Sequence, residues 1–124
     1  MKIIYTAGSR SLACLDNVVH RSSMGLKENF RTILIEIPDD IKTEEKELAS
    51  LNSGWQEYSQ YPYTQGIGDQ WGKRGSSAVL KVPSAIIPEE HSYLINPLNK
   101  DFSRIKNLGD EPFDFDRRIK APTM

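Results

Sequence analysis

The chain has 124 residues, 38% hydrophobic and 27% charged, which suits one domain with a modest core and argues against both disorder and a membrane class. A formal net charge of -1 excludes a general nucleic-acid binder, which needs a cationic surface to offset phosphate. A single cysteine, Cys14, excludes an internal disulfide framework and a cysteine-rich zinc site; the opening apolar run is too short for a signal peptide, so a cytoplasmic protein is expected.

Residues 3–6 are apolar and β-prone, and Gly8-Ser9 ends them, so they read as a strand leading into a turn. Ser9 is placed to cap a helix by accepting from the orphan N–H groups of its first turn. Leu12, Leu15 and Val19 then recur at helical spacing, flanked by Arg10, Asp16, His20 and Arg21, which predicts a short amphipathic helix ending near residues 22–25. Cys14 lies inside that pattern and reads as a small packed residue.

FRTILIEI, residues 30–37, is a strand stopped by Pro38-Asp39-Asp40. TEEKELASL, residues 43–51, favours helix by composition. Residues 55–63 are aromatic and proline-interrupted, as in an ordered loop. Residues 64–74 suit a short helix carrying Trp71, weakened by Gly66, Gly68 and Gly72. Residues 78–82 form a strand ended by Pro83; residues 86–87 and 93–96 read as further strand pieces, and residues 113–115 as a terminal one. Strands with few helices between them predict an α+β domain filling residues 1–124.

Few residues suggest chemistry by themselves. The glycines at 66, 68, 72 and 75 follow a loop rather than a strand, so they lack the context of a phosphate-binding turn. His20 and His91 have no carboxylate or cysteine at ligand spacing, and no metal is expected. Ser84, in the apolar run VPSAI, needs a partner if buried, and a strand carbonyl is the ordinary one. Asp16 reads as the solvated edge of an amphipathic helix, and Tyr5 as a half-buried aromatic with its hydroxyl reaching out. Trp55 and Trp71 read as packing residues, Asp69 and Arg74 as solvated surface, and Asp116 with Arg117 as a structural pair.

Four stretches, taken in order, nevertheless resemble the RES-domain toxin family: IIYTAGSRSLACLDNVVH, IEIPDD, GDQWGKRGSSAVLKVPSAIIPEEHSYLINPLNKDF and PFDFDRRI. The resemblance covers essentially the whole chain. It implies an ADP-ribosyltransferase-like split-sheet fold and a toxin of a toxin–antitoxin pair. Such a toxin cleaves the nicotinamide–ribose bond of NAD⁺ by hydrolysis or phosphorolysis, or transfers ADP-ribose to a protein. It also implies an Xre-type antitoxin as partner and NAD⁺ as substrate.

Carried over residue by residue, the resemblance makes Tyr5 the family tyrosine, a ligand-binding residue. Ser84 takes the serine position as a catalytic and ligand-orienting residue. Asp16 stands where the family has glutamate, as the carboxylate that stabilises positive charge on the ribose. Asp16 is one methylene shorter than that glutamate. The family's arginine lies upstream of the tyrosine in a Gly-Gly-Arg-Trp-Asn segment, and only Met1–Ile4 precede Tyr5 here, so no residue of this chain takes that place. These departures imply reduced turnover, with an inactive antitoxin-binding module as the alternative. Without the segment's strand a sheet edge stays open, which predicts a homo-oligomer such as a dimer, or an aggregation-prone monomer.

Overall fold

The computed structural model describes residues 2–20, 30–114 and 118. Among the described residues, six strands and two α-helices follow in the order β1 (Ile4–Ala7), α1 (Arg10–His20), β2 (Phe30–Glu36), β3 (Thr43–Glu45), α2 (Tyr61–Arg74), β4 (Val79–Pro83), β5 (His91–Ile95) and β6 (Lys106–Phe113). Strands β1, β5, β4 and β3 form one sheet in that spatial order, and β2 pairs with β6 in a separate two-stranded ribbon. The protein is therefore α+β with its strands split between two sheets, as expected.

The main sheet is built on β4 and β5, whose alternating residues feed two small cores. On one face Val79, Ala78 and Ile41 pack with Ile37, Tyr93 and Ile105. On the other Leu80 and Leu94 pack under Trp71 of α2, with Ile3, Ile67 and Val82 around them. Trp71, 1% exposed, is thus the packing residue its size predicted, and its indole N–H donates to Ser77 Oγ at 2.9 Å. Ser77 in turn bonds Glu44 Oε2, which also accepts from Ser76 at 2.6 Å. This chain of bonds ties the end of α2 to β3 and to the start of β4.

Helix α1 starts as predicted: the N–H of Leu12 donates to Ser9 Oγ at 3.1 Å. Its expected end at residues 22–25 lies outside the described residues, as do Phe115 and the Asp116–Arg117 pair. Cys14 is only half-buried, which corrects its reading as a packed residue. Helix α2 begins three residues earlier than expected, at Tyr61. Pro62 suits a first turn, where its missing N–H has no partner to lose. It ends at Gly75, in the left-handed region at φ 64°, whose N–H reaches Trp71 O at 3.3 Å.

Three strand expectations change. Residues 43–51 do not form an α-helix: Thr43–Glu45 pairs parallel to Val79–Lys81, and a single 3₁₀ turn at Leu48–Ser50 follows. Nine residues are too few to nucleate a helix against an available sheet edge. Ile86 and Ile87 lie in the bend between β4 and β5 rather than in a strand. The last strand runs from Lys106, well before residue 113, through a bulge opposite Leu34 and Ile35 where Gly109 holds φ 118°. Its sequence, KNLGDEPF, has low β-propensity, but a two-stranded ribbon tolerates Pro and Gly.

Candidate functional site

An open cleft of about 1650 Å³ is lined by β1, the start of α1, β2, the end of β4 and the first turns of α2. Tyr5, Asp16 and Ser84 all line it, although 79 positions of sequence separate the first from the last. Trp55 lines it too, half-buried, while Asp69 and Arg74 do not. Arg74 is instead 3.6 Å from Glu44 in an exposed ion pair.

Ser84 follows directly on β4, and its N–H continues the strand ladder to Glu90 O at 2.9 Å. The side chain is 2% exposed, and its hydroxyl does not bond a strand carbonyl. The backbone N–H groups of Ile86 and Ile87 both donate to Ser84 Oγ, at 3.1 and 3.2 Å. Two donors occupy the oxygen, so the one thing left for the hydroxyl to offer is its hydrogen. Gln56 Nε2 donates to Ala85 O at 2.8 Å and pins the same bend from outside. Ser84 is therefore a buried hydroxyl whose oxygen two backbone N–H groups hold, on a braced loop.

Tyr5 sits on β1, at the edge of the main sheet, and is 63% exposed. Partial burial of its hydroxyl, then the neighbouring Tyr61 phenol and the Asp69 carboxylate, push its pKa up. At neutral pH it is a neutral phenol that can donate. Register relates it to Ser84: Tyr5 pairs with Leu94 and Leu94 with Leu80, so all three share a face, and Ser84 is four residues along from Leu80. Two strand spacings and four residues put the two Cα atoms about 16 Å apart. The pair cannot act on one atom; it can bracket an extended ligand.

Asp16 reaches the cleft from α1, and the path from β1 to α1 depends on Gly8. The Gly8 N–H donates to His91 O at 2.9 Å, and a Cβ at this position would lie 2.9 Å from that same oxygen. Only glycine allows the turn to lie this close to β5. Cys14 shares the lining, but burial pushes its thiol pKa up, which keeps it protonated and a poor nucleophile.

Charged residues passed over in the sequence also meet here. Arg10, Arg31, Lys46 and Lys81 line the cleft together with Asp16 and Asp39, in a chain whose formal net charge is -1. Arg10 pairs with Glu111 at 2.9 Å and Arg31 with Asp110, both carboxylates on β6. In the sequence Arg10 gives only the signal of a polar flank of the amphipathic helix. Lys46 and Lys81 gave none, because β3 was not anticipated; the Lys46 N–H donates to Lys81 O at 2.9 Å across the β3–β4 pair. Among the described residues no three His, Cys, Asp or Glu side chains gather as metal ligands would, and no helix is long and apolar enough to cross a membrane.

Residues 1–116 match the RES domain family. The chain is 41% identical over 119 residues to the Prs ADP-ribosylating toxin of Sphingobium sp. (strain YBL2), covering 94% of this chain and 74% of that protein. It is 35% identical to a Toxin Res of Photorhabdus laumondii over 117 residues, again 94% and 74% of the two chains. A Toxin Res of Yersinia enterocolitica is 32% identical over 118 residues, 94% of this chain and 77% of that protein.

Proposed function

The chain belongs to the RES domain family, and from that premise we propose that it is a toxin acting on NAD⁺ at the nicotinamide–ribose bond, held in check by an antitoxin of Xre type. The observation that carries this reading is the convergence of Tyr5, Asp16 and Ser84 on one cleft that Arg10, Arg31, Lys46 and Lys81 also line. NAD⁺ is extended and carries a negatively charged pyrophosphate. A cleft whose two polar anchors stand about 16 Å apart, with cations between sheet and ribbon, matches that shape and charge better than a compact neutral substrate.

In the reaction the bond from the ribose anomeric carbon to the pyridinium nitrogen breaks, and its electron pair leaves with neutral nicotinamide. Positive charge develops on the ribose, as in glycoside cleavage. The Asp16 carboxylate is the negative group in the cleft on the β1–α1 unit, and it stabilises that charge. Ser84, able only to donate, fixes a ligand oxygen such as a ribose hydroxyl or a phosphate oxygen. Tyr5, neutral and exposed, contacts the other end of the molecule. Water or phosphate accepts the ADP-ribose and gives up its proton to solvent or to the Asp16 carboxylate.

Incubation of the purified protein with NAD⁺, following nicotinamide release, tests the proposal. Release is expected to fall at least about 10²-fold in Asp16→Asn, which keeps the side-chain shape while removing the charge. No release by the unaltered protein, in the presence or absence of phosphate, overturns it. A second reading, transfer of ADP-ribose to a protein, draws support from the printed name of the Sphingobium relative. Labelled NAD⁺ added to a cell extract separates the two: label on a discrete protein band favours transfer, and free ADP-ribose favours hydrolysis.

A further inference from the structure

Gly68 marks the face of α2 that meets the main sheet, since a Cβ there would lie 3.2 Å from Leu94 Cδ2. Leu94 is the register partner of Tyr5. Tyr61 stands seven residues before Gly68, two helical turns away, so it shares that face about 10 Å nearer the start of the helix. Tyr61 and Tyr5 thus come together where α2 overhangs the β1 edge, and both line the cleft. Tyr61 is 57% exposed, and its phenol is among the groups that shift the titration of Tyr5. Neither ring belongs to the two cores, and neither hydroxyl has a hydrogen-bond partner among the described residues. The packing of the fold therefore does not explain why two exposed aromatic rings line the same cleft.

We propose that Tyr61 and Tyr5 form a stacking platform for a planar heteroaromatic ring of a nucleotide, which makes Tyr61 a binding residue of the cleft. The inference rests on the reading of the cleft as a dinucleotide site. A tyrosine offers a large, flat, electron-rich surface at small cost in side-chain entropy, and every heteroaromatic ring has a face to lay on it. The dinucleotide has two such rings, nicotinamide and adenine, and the stacking chemistry is common to both. A platform of this kind holds the ligand before and during the reaction alike, so it acts on affinity and KM rather than on kcat.

Calorimetric titration of the protein with NAD⁺, nicotinamide mononucleotide and AMP tests this. Tyr61→Ala is expected to weaken NAD⁺ binding about 10-fold or more, with an unchanged thermal melting curve because the side chain is exposed. Tyr61→Phe keeps the ring and is expected to retain most of the affinity. Only one of the two mononucleotides should share the loss, and it identifies the ring that stacks. If Tyr61→Ala binds NAD⁺ as the unaltered protein does, the platform is overturned and the dinucleotide reading stands. Equal losses in the Ala and Phe variants indicate a hydroxyl contact and also overturn it. If the unaltered protein binds a mononucleotide through Tyr61 but not NAD⁺, the platform stands and the dinucleotide reading falls. Binding of none of the three overturns both.

Discussion

Asp16 and Ser84 illustrate how little a residue's identity says until its bonds are known. A serine in an apolar strand run invites the reading of a hydroxyl satisfied by a carbonyl. In the fold the polarity is reversed: two backbone N–H groups donate to the oxygen. Asp16 lines the same cleft, where the resemblance to the family implies a glutamate one methylene longer. Lengthening it is the direct test of whether reach limits turnover. Asp16→Glu is expected to raise nicotinamide release, by up to about 10²-fold if the carboxylate stands about 1 Å short of its target. An unchanged or lower rate means that the surrounding cleft is already fitted to aspartate.

At the scale of elements, the turn between β1 and α1 and the bond chain beneath α2 set the site's geometry. Gly8→Ala pushes a methyl group against His91 O, a backbone atom that cannot swing aside. The expected result is a destabilisation of about 1–3 kcal/mol by chemical denaturation, with NAD⁺ binding weakened because Tyr5 and Asp16 flank the turn. Glu44 governs the other end of the sheet. Hydrogen bonds from Ser76 and Ser77 hold its carboxyl below the usual range; burial opposes them, and the Arg74 and Lys42 charges add a lesser lowering. Its pKa is thus lower in the folded chain than in the unfolded one. The stabilisation is complete above the unfolded value of about 4.3 and is lost as pH falls through the folded value. Melting curves recorded from pH 6 downward should show stability falling below that point, and Glu44→Gln should flatten the acid limb. An equally steep limb in the variant would assign the acid sensitivity to other carboxylates.

At the scale of the whole molecule, β1 ends the main sheet and β2–β6 stands as a ribbon with two open sides among the described residues. Ile4, Ile33 and Leu108 are exposed on these elements. Unpaired strand edges beside apolar side chains favour pairing with another chain. Light scattering is expected to find a dimer or larger species, and a stable monodisperse monomer would count against the homo-oligomer. The lysines and arginines lining the cleft make a separate prediction: NAD⁺ affinity should fall as salt rises from about 0.05 to 0.5 M, because screening weakens the attraction between these side chains and the pyrophosphate.

The amino-acid sequence by itself determined the elements whose signals are local. The Ser9 cap, the FRTILIEI strand, the run into Pro83 and the burial of Trp71 follow from capping, β-branched content, proline chemistry and side-chain size, which need no distant partner. The family, and with it Tyr5, Asp16 and Ser84 as candidates, was legible in ordered matched stretches. Tertiary structure decided what depends on residues far apart in the chain. Thr43–Glu45 is a strand because Val79–Lys81 offers it an edge, against its helical composition. Lys106–Phe113 is one because β2 pairs with it despite its glycine and proline. The cations of the cleft, the donor-only hydroxyl of Ser84 and the meeting of Tyr61 with Tyr5 all depend on register and on helix placement. Those are set by burial and pairing across the fold, which no local run of residues encodes.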